Sequence, residues 1–182
     1  MRLVATEYLS LDGVFEEPGR WSGPFFDDEA AQFKWQELQA SDALLLGRKT
    51  YDGFAAAWPA MKDEAGFADR MNSMPKYVVS ATAEKLEWQG SQLLRGHLAE
   101  EVRKLKAEPG QDILLSGSAQ LFNALGQENL IDLYRLMLHP IVLGEGQRLF
   151  AADVDRRALE LTHTRTFRSG IVILEYRPAS RS

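Results

Sequence analysis

Apolar and polar positions alternate in two different ways along the chain, and the change comes near residue 126. Before that point, short apolar runs are separated by stretches with the spacing of amphipathic helices. The predicted strands are 3–11, 43–46, 77–79, 93–94 and 113–115, and the predicted helices are 27–40, 50–57, 98–107 and 119–125. Continuous apolar runs of this length are typical of parallel strands that are covered on both faces.

After residue 126 the pattern is mostly that of β-structure. The segments 130–143, 157–168 and 171–176 predict strands, which His139-Pro140 and Ser169-Gly170 interrupt. Residues 62–73 have the composition of a polar helix or a loop. We therefore predict one α/β domain over residues 1–182, with a mixed, mostly parallel central sheet flanked by helices and finished by antiparallel strands.

Composition narrows the possible functions. The net charge of −5 argues against nucleic acid or an anionic membrane as the main partner. The absence of cysteine excludes a disulfide scaffold, a thiolate zinc site and a cysteine nucleophile, and the three histidines lack metal-ligand spacing, so we expect no metal. No signal peptide or membrane-spanning run is evident, and we expect a cytoplasmic protein.

Three turns that follow predicted strands are rich in small and polar residues. They are Gly47-Arg48-Lys49-Thr50, Ser80-Ala81-Thr82 and Ser116-Gly117-Ser118-Ala119. A turn that opens a helix exposes backbone N–H groups at the positive end of the helix dipole, which favours phosphate. Arg48 and Lys49 could pair with a phosphate or be ordinary solvated cations, and Gly117 could admit a pyrophosphate or simply form a turn.

The start of the first predicted helix is acidic and follows an aromatic stretch. Asp27, Asp28 and Glu29 come after Trp21, Phe25 and Phe26. The acids could cap the helix, or one of them could hold a substrate or donate a proton. The aromatic side chains could shield a pocket or belong to the core.

Six motifs, taken together and in order, resemble one family. They are 10–14 (SLDGV), 46–51 (LGRKTY), 58–59 (WP), 75–80 (PKYVVS), 112–119 (DILLSGSA) and 140–150 (PIVLGEGQRLF). The chain resembles the dihydrofolate-reductase-like proteins related to the C-terminal reductase domain of RibD, the riboflavin-pathway pyrimidine reductase. The resemblance runs from residue 2 to about residue 176.

This resemblance implies a three-layer fold of about eight strands with NADPH across the carboxyl ends of the middle strands. It implies contacts of residues 47–50 with cofactor phosphates, of Ser80, Ala81 and Thr82 with the adenosine end, and of residues 117–121, including Gln120 and Leu121, with the pyrophosphate. The segment 5–14 would border the nicotinamide through Ala5. Leu11, Asp12, Trp21 and Phe26 would line the substrate pocket.

The resemblance also implies a homodimer, and a dimer would protect the apolar residues Leu136, Leu138 and Val142 if they lie on an edge strand. Two departures bear on function. Ala81 stands where many relatives carry arginine, which weakens the argument for NADPH over NADH. Leu133 stands where relatives often carry glutamate, so an acid is missing from that strand.

The resulting hypothesis is a reductase that uses NADPH, rather than NADH, to reduce a C=N or C=C bond of a small heterocycle. The substrate would be pteridine-like or ribosylaminopyrimidine-like, as for a phosphoribosylamino-uracil reductase of riboflavin biosynthesis. Asp28, or else Asp27, would donate the proton. The alternative is a non-catalytic NADP(H)-binding module or sensor. A zinc deaminase is excluded by the lack of cysteine, and the serine-hydrolase motif G-x-S-x-G does not occur.

Overall fold

The computed structural model describes residues 1–152 and 154–179. Within them the chain forms a single eight-stranded sheet with α-helices on both faces. The strands are β1 (Arg2–Leu9), β2 (Ser41–Gly47), β3 (Lys76–Val79), β4 (Ser91–Leu94), β5 (Asp112–Leu115), β6 (Leu133–Leu138), β7 (Leu159–Thr166) and β8 (Val172–Pro178). The helices are α1 (Asp28–Gln39), α2 (Arg48–Ala57), α3 (Phe67–Ser73), α4 (Leu98–Ala107) and α5 (Ala119–Gln127).

The strand order is β4-β3-β2-β5-β1-β6-β8-β7. Every pairing among the first six strands is parallel, whereas β8 pairs antiparallel with both β6 and β7. The predicted mixed sheet with antiparallel C-terminal strands is therefore confirmed. Because β1 to β6 run in the same direction, their carboxyl ends lie along one edge, where ligands of open α/β sheets bind.

Alternating side chains of β1 pack into the cores on the two faces of the sheet. Leu3 and Ala5 pack with the core that includes Leu121 and Phe122 of α5. Val4 faces the opposite way, into the core beneath α1 and α3. This two-residue period means that neighbouring residues of β1 serve different layers of the fold. No helix in the described part of the chain has the length and apolarity needed to cross a membrane.

Several predicted boundaries were wrong at the carboxyl-terminal end. The strand predicted over 130–143 is limited to β6, which ends one residue before His139-Pro140, since proline cannot donate to a sheet. β6 is an inner strand between β1 and β8, so Leu136 and Leu138 are not edge residues, although Val142 is 67% exposed. The edge argument for a homodimer therefore fails, and the dimer stays a prediction.

Helix α1 differs from its predicted pattern in one respect that matters for the fold. Ala40, the last residue of the predicted helix, is an exposed C-cap residue although it is apolar, whereas the acidic residue Glu37 is buried. The Glu37 carboxylate contacts the Lys34 ammonium, and its Oε1 accepts a hydrogen bond from Arg135 of β6 at 3.1 Å. Arg135 also donates to Glu175 of β8 at 2.6 Å. A buried network of charges therefore joins α1 to two strands of the sheet.

Candidate active site at the carboxyl edge of the sheet

The turns after β2 and β5 are in direct contact. The Gly47 N–H donates a hydrogen bond to the Gly117 carbonyl at 3.1 Å. A Cβ atom on Gly47 would lie 2.7 Å from Ser118 Oγ, and one on Gly117 would lie 2.5 Å from Thr50 Oγ1. Gly117 also has φ +59°, a conformation that glycine adopts at little cost. The fold thus brings together two of the three turns selected from the sequence.

Both turns open a helix toward this edge. No side chain caps the amino terminus of α2, whose N-cap is Gly47. Ser118 caps α5, where its Oγ accepts a hydrogen bond from the Leu121 amide at 3.4 Å. The predicted residues Ala119 and Leu121 are buried, whereas Gln120 is exposed. The uncapped first turn of α2 has backbone N–H groups that are free to bind an anion.

The two cations after β2 are exposed and already have acidic partners. Arg48 Nε donates to Asp52 Oδ1 at 2.7 Å, one turn along α2. Lys49 Nζ donates to Glu16 Oε1 at 2.9 Å, in the loop after β1. Exposed pairs of this kind contribute little to stability, so an arriving phosphate can compete with these carboxylates for the cations.

The third turn, after β3, is held by its own serine. Ser80 Oγ accepts hydrogen bonds from the amides of Thr82 and Ala83 at 3.3 and 3.0 Å. Ala81 and Thr82 are exposed. Arg95, which follows β4, donates to the Ala83 carbonyl at 3.0 Å. Arg95 therefore places a guanidinium beside this turn, where Ala81 cannot supply one. The sequence did not predict this proximity, because Arg95 follows a different strand.

Asp12 has a structural task at this edge. Its Oδ1 accepts hydrogen bonds from Ser10 Oγ at 2.7 Å and from the Leu143 amide at 3.1 Å, and its Oδ2 accepts one from the Gly144 amide at 2.9 Å. The bond from Ser10, followed by those from the two amides, lowers the pKa of Asp12 to about 2. The Asp12 carboxylate therefore fastens the loop after β1 to the segment after β6.

The three acids at the start of α1 are in different environments. Asp27 is the N-cap, since its Oδ1 accepts a hydrogen bond from the Ala30 amide at 3.0 Å. Glu29 Oε2 accepts one from the Arg168 amide at 2.8 Å. Asp28 is exposed in the first turn. Capping by Asp27 is thus confirmed, and the proton-donor role of Asp28 stays a prediction.

An aromatic cluster covers the carboxyl ends of β1 and β6. Tyr8 stacks on Phe26 with ring centroids 6.3 Å apart, and it lies 5.2 Å from the His139 ring. Trp21 meets His139 edge-on at 5.2 Å. Trp21 is buried, whereas Phe26 and Leu11 are 39% and 57% exposed. Of the four predicted pocket residues, Phe26 and Leu11 therefore present an apolar surface to solvent at this edge.

Two buried titratable groups at this edge were not selected from the sequence. His139 is fully buried, its Nδ1 lies 2.9 Å from the Met137 carbonyl, and burial lowers its pKa. Because that carbonyl can only accept, Nδ1 carries the proton. Glu7 is buried on β1, and its Oε1 accepts a hydrogen bond from the Gly117 amide at 2.7 Å. Neither belongs to a local motif that could have revealed it.

The sequence matches a known family over most of its length. The model of the RibD C-terminal domain matches residues 2–173. The chain belongs to this family. Ala5 pairs with Leu115 of β5 on one side and with Tyr134 of β6 on the other, so it lies on an inner strand of this RibD C-terminal domain.

Two Bacillus subtilis relatives have similar sequences over most of their length. Uncharacterized protein YyaP is 38% identical over 179 residues, which cover 96% of this chain and 94% of YyaP. Uncharacterized protein YwjB is 26% identical over 165 residues, covering 91% of this chain and 85% of YwjB.

Solved structures share the fold at lower identity. A putative riboflavin biosynthesis protein from a Shewanella species has a TM-score of 0.80 and 20% identity, with 99% of this chain and 100% of that chain covered. Dihydrofolate reductase from Enterococcus faecalis, complexed with NADP(H), has a TM-score of 0.67 and 15% identity, covering 98% and 97%. RibD from Acinetobacter baumannii has a TM-score of 0.63 and 18% identity, covering 98% of this chain and 58% of that chain. These likenesses confirm the dihydrofolate-reductase-like fold.

Proposed function

We propose that the protein is an NADPH-dependent reductase that transfers a hydride to a C=N or C=C bond of a small heterocycle. The observation that carries the proposal is the direct contact between the turns at 47–50 and 116–119 at the carboxyl edge of the sheet. Membership of the RibD C-terminal family supports it. The shared fold with a dihydrofolate reductase that binds NADP(H) gives further support.

The residues at these turns fit a dinucleotide. Gly47 and Gly117 have no side chains, which would collide with Ser118 and Thr50 respectively. The first turn of α2 has free backbone N–H groups that can bind a phosphate. Arg48 and Lys49 would hold a further phosphate, and the turn at Ser80 with Arg95 would hold the adenosine end. When bound, the cofactor supplies the hydride, while these residues bind and orient it.

The aromatic cluster would receive the substrate. Phe26 and Leu11 offer an exposed apolar surface beside the loop after β1, which suits a flat heterocycle of the pteridine or aminopyrimidine class. Phe26 stacks on Tyr8, which contacts the buried His139, and this packing holds the Phe26 ring in place. On this proposal Asp28, exposed at the start of α1, donates the proton directly or through water.

Thermal unfolding with NADPH tests the cofactor. At about 100 times its dissociation constant, NADPH is expected to stabilise the protein by about 2.7 kcal/mol. For a domain of this size that raises Tm by roughly 5–10 °C. Absence of a shift with either NADPH or NADH at millimolar concentration would overturn the proposal. A shift without NADPH oxidation in the presence of pteridines and aminopyrimidines would favour the non-catalytic binding module.

The preference for NADPH over NADH is tested by Arg48→Gln. Loss of one charge-assisted hydrogen bond to the 2′-phosphate is expected to weaken NADPH binding roughly tenfold and to leave NADH binding unchanged. Arg103→Gln is the control, because Arg103 forms a similarly exposed pair with Glu128 on another part of the surface. Equal losses for NADPH and NADH on replacing Arg48, measured by isothermal titration calorimetry, would remove Arg48 from the 2′-phosphate site.

A further inference from the structure

Glu7 is a buried acid in contact with the turn that we propose for the cofactor's diphosphate. Its side chain is directed at Gly117, whose N–H donates to Glu7 Oε1 at 2.7 Å, and the residue is only 4% exposed. The Gly117 carbonyl is bonded in turn to the Gly47 amide. The Gly117 N–H is therefore turned toward the sheet and is not available to a ligand, so Glu7 sets the orientation of this turn.

Few charges compensate the Glu7 carboxyl. Lys34 favours its ionisation and Glu37 opposes it, and both belong to α1, on the other face of the sheet. Helix α5 contains no titratable residue, and the neighbour of Glu7 on β6 is Leu136. Burial outweighs the Gly117 hydrogen bond and the Lys34 charge, and it raises the pKa of Glu7 to about 8. At neutral pH the Glu7 carboxyl is therefore mostly protonated.

We infer that Glu7 is a positioning residue that couples binding of the dinucleotide to uptake of a proton, so that the neutral form of Glu7 admits the cofactor and the ionised form opposes it. This inference rests on the proposed function. A diphosphate bound at the Gly117 turn would bring negative charge close to the carboxyl of Glu7. Like charges in a poorly solvated site raise the pKa of a carboxyl further.

The direction of the pH dependence follows from linkage. If binding raises the pKa of Glu7, the complex retains a proton that the free protein loses above about pH 8. The affinity for NADPH is then constant below that pH and falls above it, by at most about tenfold per pH unit. Glu7→Gln keeps an oxygen that accepts the Gly117 N–H but cannot ionise, so its affinity is expected to stay constant.

The test measures the dissociation constant of NADPH for three proteins from about pH 7 to about pH 9.5, the range in which linkage predicts that the affinity falls. They are the unmodified chain, Glu7→Gln and Glu108→Gln. Glu108 is exposed at the other end of β1, where its carbonyl accepts from the Met1 amino group, so its replacement controls for charge alone. We expect the affinity to fall at high pH for the unmodified chain and Glu108→Gln, and to stay constant for Glu7→Gln.

Either a constant affinity in the unmodified chain or an equal decline in Glu7→Gln would overturn the inference while leaving the reductase proposal intact. Absence of NADPH binding already at pH 7 would overturn both. A second measurement does not depend on the folding of the variant. Carbon-13 NMR of the Glu7 carboxyl is expected to show a higher pKa with NADPH than without it, and an unchanged or lower pKa would also overturn the inference.

Discussion

Replacing Arg135 by methionine is expected to lower the free energy of unfolding by about 3–5 kcal/mol, because it removes one of the two cations that compensate the buried Glu37 carboxylate and also the ion-pair partner of the partly buried Glu175. Arg135 lies between Glu37 and Glu175, at 3.1 and 2.6 Å. Burial opposes ionisation of Glu37 most strongly, yet Lys34 and Arg135 together hold its pKa below the usual value. Without Arg135 only Lys34 remains to compensate a side chain that is 2% exposed.

Urea unfolding at neutral pH measures this loss, and Arg177→Met is its control. Arg177 forms an exposed pair with Glu160 at 2.9 Å on neighbouring strands of the same sheet, so its loss is expected to cost less than about 1 kcal/mol. Combining Arg135→Met with Glu37→Leu is expected to recover part of the stability, because the second substitution removes the buried Glu37 carboxylate that had lost Arg135. Equal costs for the two arginine replacements would show that the buried network contributes no more than a surface pair.

The lowered pKa of Glu37 also sets the direction of a pH effect. A carboxyl whose pKa is lower in the folded state stabilises the protein at pH values above the unfolded pKa, near 4.5, and this contribution is lost as the pH falls through the folded pKa. In Arg135→Met the pKa of Glu37 rises, so the acid-induced loss is expected to begin at a higher pH. Unfolding followed from about pH 7 to about pH 3 would measure the difference.

Replacing Gly117 by alanine is expected to weaken NADPH binding by roughly tenfold or more and to destabilise the fold by about 1–3 kcal/mol. The new Cβ would lie 2.5 Å from Thr50 Oγ1, and φ +59° disfavours any residue with a Cβ. We expect the strained Gly117 turn to move away from Thr50, and so away from the start of α2. The proposed cradle for the phosphates would then open.

Gly53→Ala provides the matched control for this substitution. Gly53 lies inside α2, and a Cβ there would meet nothing within 4 Å. Alanine is expected to stabilise that helix by up to about 1 kcal/mol and to leave the dissociation constant of NADPH unchanged. Undiminished NADPH binding by a folded Gly117→Ala protein, measured by calorimetry, would contradict the role assigned to the contact between the two turns.

Local pattern determined much of this fold and part of its candidate site. Apolar runs located the buried strands, such as β2 and β5, because a strand covered on both faces needs apolar residues throughout. Small residues after those strands located the turns at Gly47 and Gly117, since only a bare backbone allows close approach and positive φ. Asp27 as a cap was also recognisable, because capping is an interaction over three residues.

The remaining features depended on contacts between distant parts of the chain. Glu7 meets Gly117 across 110 positions, and Arg135 meets Glu37 across 98. A polar residue in a strand or helix usually faces water, so the sequence alone did not predict that Glu7 and Glu37 are buried. Only the tertiary structure decided which charges became buried and paired, because the free energy of a buried charge depends on partners that packing brings to it.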